Sequence, residues 1–109
     1  MAIRKIVFYP PAGNRNSPVD ALLDLCTQNE KALITEKLTV ASEFESWEWP
    51  NWIKKVSGFF QMRSGDFRIY IHLDENKIVV THICRKTTPR VKKKDIAIAQ
   101  TNFARYKAQ

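Results

Sequence analysis

Phe59-Phe60-Gln61-Met62-Arg63-Ser64-Gly65-Asp66-Phe67-Arg68-Ile69-Tyr70-Ile71-His72-Leu73-Asp74-Glu75-Asn76-Lys77-Ile78-Val79-Val80-Thr81-His82-Ile83-Cys84 decides the fold. Phe59–Arg63, Phe67–Leu73 and Ile78–Cys84 are rich in β-branched and aromatic side chains, and turn formers separate them: Ser64-Gly65-Asp66, then Asp74-Glu75-Asn76-Lys77. Connections this short join antiparallel neighbours, so the stretch predicts a three-stranded meander. On the middle strand Phe67, Ile69, Ile71 and Leu73 share one face, which leaves Arg68, Tyr70 and His72 on the other. The sheet therefore has an apolar face that needs a cover and a face that carries chemistry.

Upstream lies the cover. Ile3 to Tyr9 reads as a strand, ended by Pro10-Pro11 and the turn-forming Gly13-Asn14. Ser17, Pro18 and Asp20 form a helix start with a Ser-x-x-Asp capping box, and Val19, Leu22, Leu23 and Cys26 follow on one face. After the polar break Thr27-Gln28-Asn29, Glu30–Ser46 places Leu33, Ile34, Leu38, Ala41 and Phe44 at helical spacing. Two consecutive helices predict a hairpin. Trp47-Glu48-Trp49-Pro50-Asn51-Trp52 reads as a Pro-broken aromatic loop, more suited to a hydrophobic plug or partner contact than to stacking bases. Downstream of Pro89, Ile96, Ala99, Phe103 and Tyr106 predict a closing helix whose first turn is Lys92-Lys93-Lys94. Cations at that end oppose the helix dipole, so a segment that tolerates them suits an anionic ligand. The expected fold is a single α+β domain over residues 1–109, in the order β-α-α-β-β-β-α, with the helical hairpin on the apolar face of an antiparallel sheet.

At 109 residues the chain has room for one core, and 44% hydrophobic content with three Gly and five Pro is a globular composition. No apolar run approaches the roughly 18 residues that span a bilayer, and the N-terminal MAIRKIVFYPP lacks the features of a signal peptide, so a cytoplasmic chain is expected. Cys26 and Cys84 form no CxxC or CxxH pair, which suggests neither a zinc site nor a disulfide framework; no metal and no cofactor is expected. The net charge of +7 is localised. Residues 1–56 hold seven Lys/Arg and seven Asp/Glu, and residues 57–84 hold three of each. Arg85, Lys86, Arg90, Lys92, Lys93, Lys94, Arg105 and Lys107 then face the single acid Asp95. That asymmetry suits a polyanion, with nucleic acid ahead of a membrane surface, or else a solvated basic tail.

Phosphate loops, HExxH, GxSxG and paired carboxylates are absent from the sequence, and the acids after residue 56 fall mostly at turns or a helix start. Phosphodiester chemistry would then be metal-free and depend on side chains that move protons and stabilise the phosphate. Arg63, Arg68, Tyr70, His72, Arg85 and Lys86 are the candidates on the sheet, with guanidinium groups suited to bidentate phosphate contacts. Simple alternation would equally make them the wet face of a half-covered sheet. His72 shares its face with Arg68, whereas His82 falls with Val80 and Cys84, a setting that favours burial.

The runs Phe60–Tyr70 and Ile78–Pro89, the latter ending in Arg85-Lys86-Thr87-Thr88-Pro89, resemble phage-derived HigB-type toxins of the RelE/ParE superfamily, as do Ser17-Pro18-Val19 and Ala97–Tyr106. The resemblance implies a RelE-like fold and the toxin of a type II toxin-antitoxin pair, an endoribonuclease that cuts mRNA at the ribosome and so blocks translation. It implies that the substrate's own 2′-OH attacks. A cognate helix-turn-helix antitoxin would be the partner. By position, Arg63 and Arg68 would hold the phosphate, Arg85 or Lys86 would add the third charge, and Arg90 with Lys92, Lys93 and Lys94 would grip RNA. Two departures from the family pattern stand out: Phe59 and Gln61 occupy positions where relatives place lysines, and no Tyr matches the family's Tyr shortly after the basic strand end. Tyr70 and His72 are then candidates for base and acid, with Lys54 or Lys55 joining if their segment folds back; Lys54 and Lys55 otherwise count among the RNA-binding cations. A double-stranded-RNA-binding module and a phage adaptor protein are the binding-only alternatives.

Overall fold

Two tight turns fold the central stretch onto itself. Gly65 has φ of 59° and Glu75 φ of 53°, backbone states that close its two-residue hairpins, and Ser57 and Gly58, with φ of 50° and 87°, close another just before it. The computed structural model describes residues 2–86 and 92–109, and Arg90 with the rest of 87–91 lies outside them. Its elements are β1 (Lys5–Phe8), α1 (Pro18–Leu25), α2 (Gln28–Glu43), a 3₁₀ turn (Ser46–Glu48), β2 (Ile53–Val56), β3 (Phe59–Ser64), β4 (Phe67–Asp74), β5 (Lys77–Arg85) and α3 (Lys93–Lys107). The sheet order is β1-β5-β4-β3-β2, with β1 parallel to β5 and the other pairs antiparallel. The α+β class and the meander are as the pattern predicts. The sheet itself is mixed and gains a strand, β2, from residues expected in a loop.

The helix starts follow from the sequence with one exchange of roles. Ser17 caps α1 by accepting from the Val19 amide at 3.2 Å, but Asp20 accepts from the Gly13 amide at 3.0 Å instead of closing a capping box. The reciprocal box occurs at α2. Thr27 accepts from the Glu30 amide and Glu30 accepts from the Thr27 amide, so the predicted polar break is a cap.

One face of the sheet presents Ile53, Met62, Phe67, Ile69, Ile71, Ile78, Val80 and Ile83 to Leu22 of α1 and to Ile34, Leu38 and Ala41 of α2. Each such side chain contributes about 1.5–3 kcal/mol by burial, which makes this the main core. The opposite face is not left to water. Phe59 and Tyr70 are buried there with Ala99 of α3, and Cys84 and Ile96 pack against them. The helices thus lie on both sides of the sheet.

A bulge sets which residues of β5 meet which layer. Tyr70 pairs with His82 while Ile71 pairs with Val80, so Thr81 is the extra residue. The carbonyl of Thr81 accepts from Asn102 Nδ2 at 2.7 Å, and its hydroxyl lies 3.1 Å from His72 Nδ1. Asn102, a polar residue on the buried face of α3, is there because the bulge leaves a carbonyl without a ladder partner. The bulge also reverses the alternation: Ile78 and Val80 face the helical hairpin, as do Ile83 and Arg85, whereas His82 and Cys84 turn to α3.

Candidate functional site

Below the part of the sheet covered by α3, two rungs carry the candidate chemistry. In the first, Lys54 of β2 stands opposite Gln61 of β3, which stands opposite Tyr70 of β4, which stands opposite His82 of β5. In the next, Arg63 stands opposite Arg68, and Arg68 opposite Cys84. Directly opposed like charges on neighbouring strands cost about 0.2–1 kcal/mol, so an Arg63/Arg68 pair is not there for sheet stability. Arg68 is partly buried and donates to the carbonyls of Gly65 at 2.9 Å and Phe67 at 3.0 Å, which hold its guanidinium over the hairpin turn. Arg63 is exposed.

Lys86 joins them. Its amide donates to the Asp66 carbonyl at 2.7 Å, which extends the end of β5 alongside the β3–β4 turn. The side chain is 4% exposed. Burial, more than the neighbouring Arg68, holds its ammonium below the usual lysine range. Lys54 and Lys55 are both exposed on the edge strand β2, Lys54 on the Arg68 side of the sheet and Lys55, paired with Phe60, on the other. The segment does fold back. Lys54 thus stands directly opposite Gln61, one strand over.

Three expected members of the cluster stand elsewhere. Arg85 points to the helical hairpin: its guanidinium sits 4.7 Å from the Phe67 ring centre, donates to the Leu25 carbonyl at 3.0 Å and lies 3.6 Å from Glu30. Without the bulge, alternation would have put Arg85 beside Arg68 and Lys86 behind; the extra residue exchanges them. Tyr70 is fully buried, its hydroxyl accepting from Gln61 Nε2 at 3.1 Å, and burial pushes its pKa up to about 12. His72 is stacked between Phe59 and Phe103, 4.2 Å from each ring centre, and burial lowers its pKa to about 4. Both belong to the α3 interface, because α3 covers the face that the alternation alone would leave wet. Both side chains are buried.

Lys92 caps α3 without a side-chain hydrogen bond, and it, Lys93 and Lys94 are exposed at the end of the helix that approaches Lys86. Beside them His82 Nε2 lies 3.0 Å from Asp95 Oδ1. Cys84 is the third member of that group, its thiol hydrogen-bonded to Asp95 and pushed up to about 12 chiefly by burial. The sequence gives no spacing signal for this trio, since one member arrives from another element. In the aromatic segment Trp49 donates from Nε1 to the carbonyls of Ala41 at 2.9 Å and Phe44 at 3.1 Å and packs edge-on to Phe60, while Trp47 is 80% exposed. Trp52 lies under the Lys37 ammonium, 5.1 Å away, and that ammonium also donates to the Arg63 carbonyl.

Among the described residues no helix is long and apolar enough to cross a membrane. No curated protein matches the chain. A family model, phage derived protein Gp49-like (DUF891), matches residues 22–104, a span that runs from α1 through nearly all of α3 and includes every cation of the two rungs and of the α3 start. The chain belongs to the Gp49-like family of phage-derived proteins.

Proposed function

We propose that this chain is the toxin of a toxin-antitoxin pair and cuts mRNA without a catalytic metal. The observation that carries the proposal is the pairing of Arg63 with Arg68 next to Lys54 and Lys86, a concentration of cations whose mutual repulsion a phosphate would relieve. In the reaction, the ribose 2′-oxygen, its proton passing to a solvent water, bonds to phosphorus as the bond to the 5′-oxygen breaks, leaving a 2′,3′-cyclic phosphate and a 5′-hydroxyl. Arg63 and Arg68 bind the phosphate oxygens and stabilise the charge that grows on them. Lys54, the exposed lysine of the same face, gives its proton to the departing 5′-oxygen. Lys86, behind Arg68, keeps the field positive. Lys92, Lys93 and Lys94 hold the flanking RNA backbone, of mRNA or of the ribosome. A small helix-turn-helix antitoxin is the expected neutralising partner. DNA lacks the attacking hydroxyl and is not cut.

Induced expression tests this reading in cells. Growth and translation should stop with the wild-type chain and continue with the Arg63→Ala/Arg68→Ala double variant present at equal soluble amount. Normal growth with soluble wild-type protein would sink the toxin reading; tight RNA binding without cutting would favour a binding module instead.

A further inference from the structure

His82, Cys84 and Asp95 each offer one ligand atom, and these atoms lie within 4.8 Å of one another. We propose that this trio is a zinc-binding site fastening the first turn of α3 to β5. The donor set is imidazole nitrogen, thiolate sulfur and carboxylate oxygen, a combination that suits Zn²⁺ above harder cations. Bond lengths of about 2.0–2.3 Å to zinc place neighbouring tetrahedral ligands about 3.3–3.6 Å apart. His82 Nε2 and Asp95 Oδ1 are already 3.0 Å apart, so only small side-chain rotations separate the present arrangement from a ligand shell. The backbone is set for it. His82 and Cys84 share a face by simple alternation, the bulge at Thr81 turns that face to α3, and Asp95 stands in the first turn of that helix. All three are partly buried, which leaves an approach for the ion and a fourth position for water.

The charge balance is favourable despite neighbours of the wrong sign. Arg68 and Lys86 act electrostatically on Cys84. Bound zinc with one thiolate, one carboxylate and a neutral imidazole forms a neutral unit, so those cations face no net charge once the thiol proton has been released to solvent. Asp95 is the sole acid among residues 85–109, and the trio gives it a reason to stand amid lysines. The ion ties strand to helix and is separate from the phosphate step proposed above; it neither requires that step nor is required by it.

Cobalt serves as the spectroscopic probe. The full-length, reduced, metal-free protein titrated with Co²⁺ should develop a thiolate-to-cobalt charge-transfer band that saturates at one ion per chain and vanishes as Zn²⁺ displaces it. Cys26→Ser should keep the band and Cys84→Ser should abolish it. His82→Gln and Asp95→Asn, which leave the thiol in place, should each weaken zinc binding at least tenfold in competition with a chromophoric chelator. Zinc at a hundredfold excess over its Kd should raise the Tm of the wild type on the order of 10 °C and leave Cys84→Ser unmoved. Absence of the band in folded wild-type protein, or a band that survives in Cys84→Ser or follows Cys26, would overturn the proposal. Should Cys84→Ser fail to fold, unchanged zinc affinity in both His82→Gln and Asp95→Asn would overturn it equally.

Discussion

Arg63 and Arg68 stand opposite each other at the β3–β4 hairpin, a placement legible in the sequence because Gly65 fixes the turn and the turn fixes the register. Replacing either with Ala should reduce RNA cleavage by about 10²–10³, the usual loss when one donor to a charged transition state is removed. Stability should change by less than about 1 kcal/mol, since a like-charge contact goes with it; turnover and urea midpoints measured on the same preparations check both. Arg85→Ala is the contrasting case. Its side chain contacts Phe67, Leu25 and Glu30 on the other face, so cleavage should persist while the urea midpoint falls with the loss of those three contacts. His72 titrates for a structural reason. Its folded pKa of about 4 lies below the ordinary 6.5, so between those values the unfolded chain binds the extra proton and stability falls as the pH drops. Full protonation would cost on the order of 3 kcal/mol. The urea midpoint should therefore decline from pH 7.5 to 5 in the wild type and decline less in His72→Phe, which keeps the stack with Phe59 and Phe103.

Elements were legible where periodicity is local and illegible where one extra residue or one cover changes its meaning. The meander, the Ser17 cap and the closing helix all follow from patterns within a dozen residues. The strand β2 did not, because Ile53-Lys54-Lys55-Val56 is short and follows Pro50 in an aromatic run; the Ser57-Gly58 pair before Phe59 was the signal that marks its hairpin. The bulge at Thr81 leaves no trace in composition, yet it decides that Lys86 rather than Arg85 joins Arg68. Alternation alone places Tyr70 and His72 on the open face of the sheet, because it describes one strand at a time and carries no sign that α3 covers that face. Asn102 ties these levels together. Asn102→Leu should leave the Thr81 carbonyl without its partner inside the α3 interface and cost about 1–3 kcal/mol, read from the shift in urea midpoint at constant slope.

For the whole molecule the +7 is a statement about place: the surplus begins at Arg85 and continues into α3, next to the two rungs that carry Arg63, Arg68 and Lys54. Binding to single-stranded RNA should follow counterion release, with log affinity falling by about 0.7 per decade of salt for each phosphate neutralised. Lys93→Ala with Lys94→Ala should flatten that slope by about 1.4 without changing which bond is cut. The central claim is that the cation cluster drives attack by the RNA's own hydroxyl. Its most direct measurement is the chemistry of the fragment ends, obtained by mass spectrometry after purified protein has acted on translating ribosomes. The account predicts a 2′,3′-cyclic phosphate on one fragment and a 5′-hydroxyl on the other, with both absent from the Arg63→Ala/Arg68→Ala reaction. Fragments bearing a 5′-phosphate and a free 3′-hydroxyl, or undiminished cutting by the double variant, would contradict it.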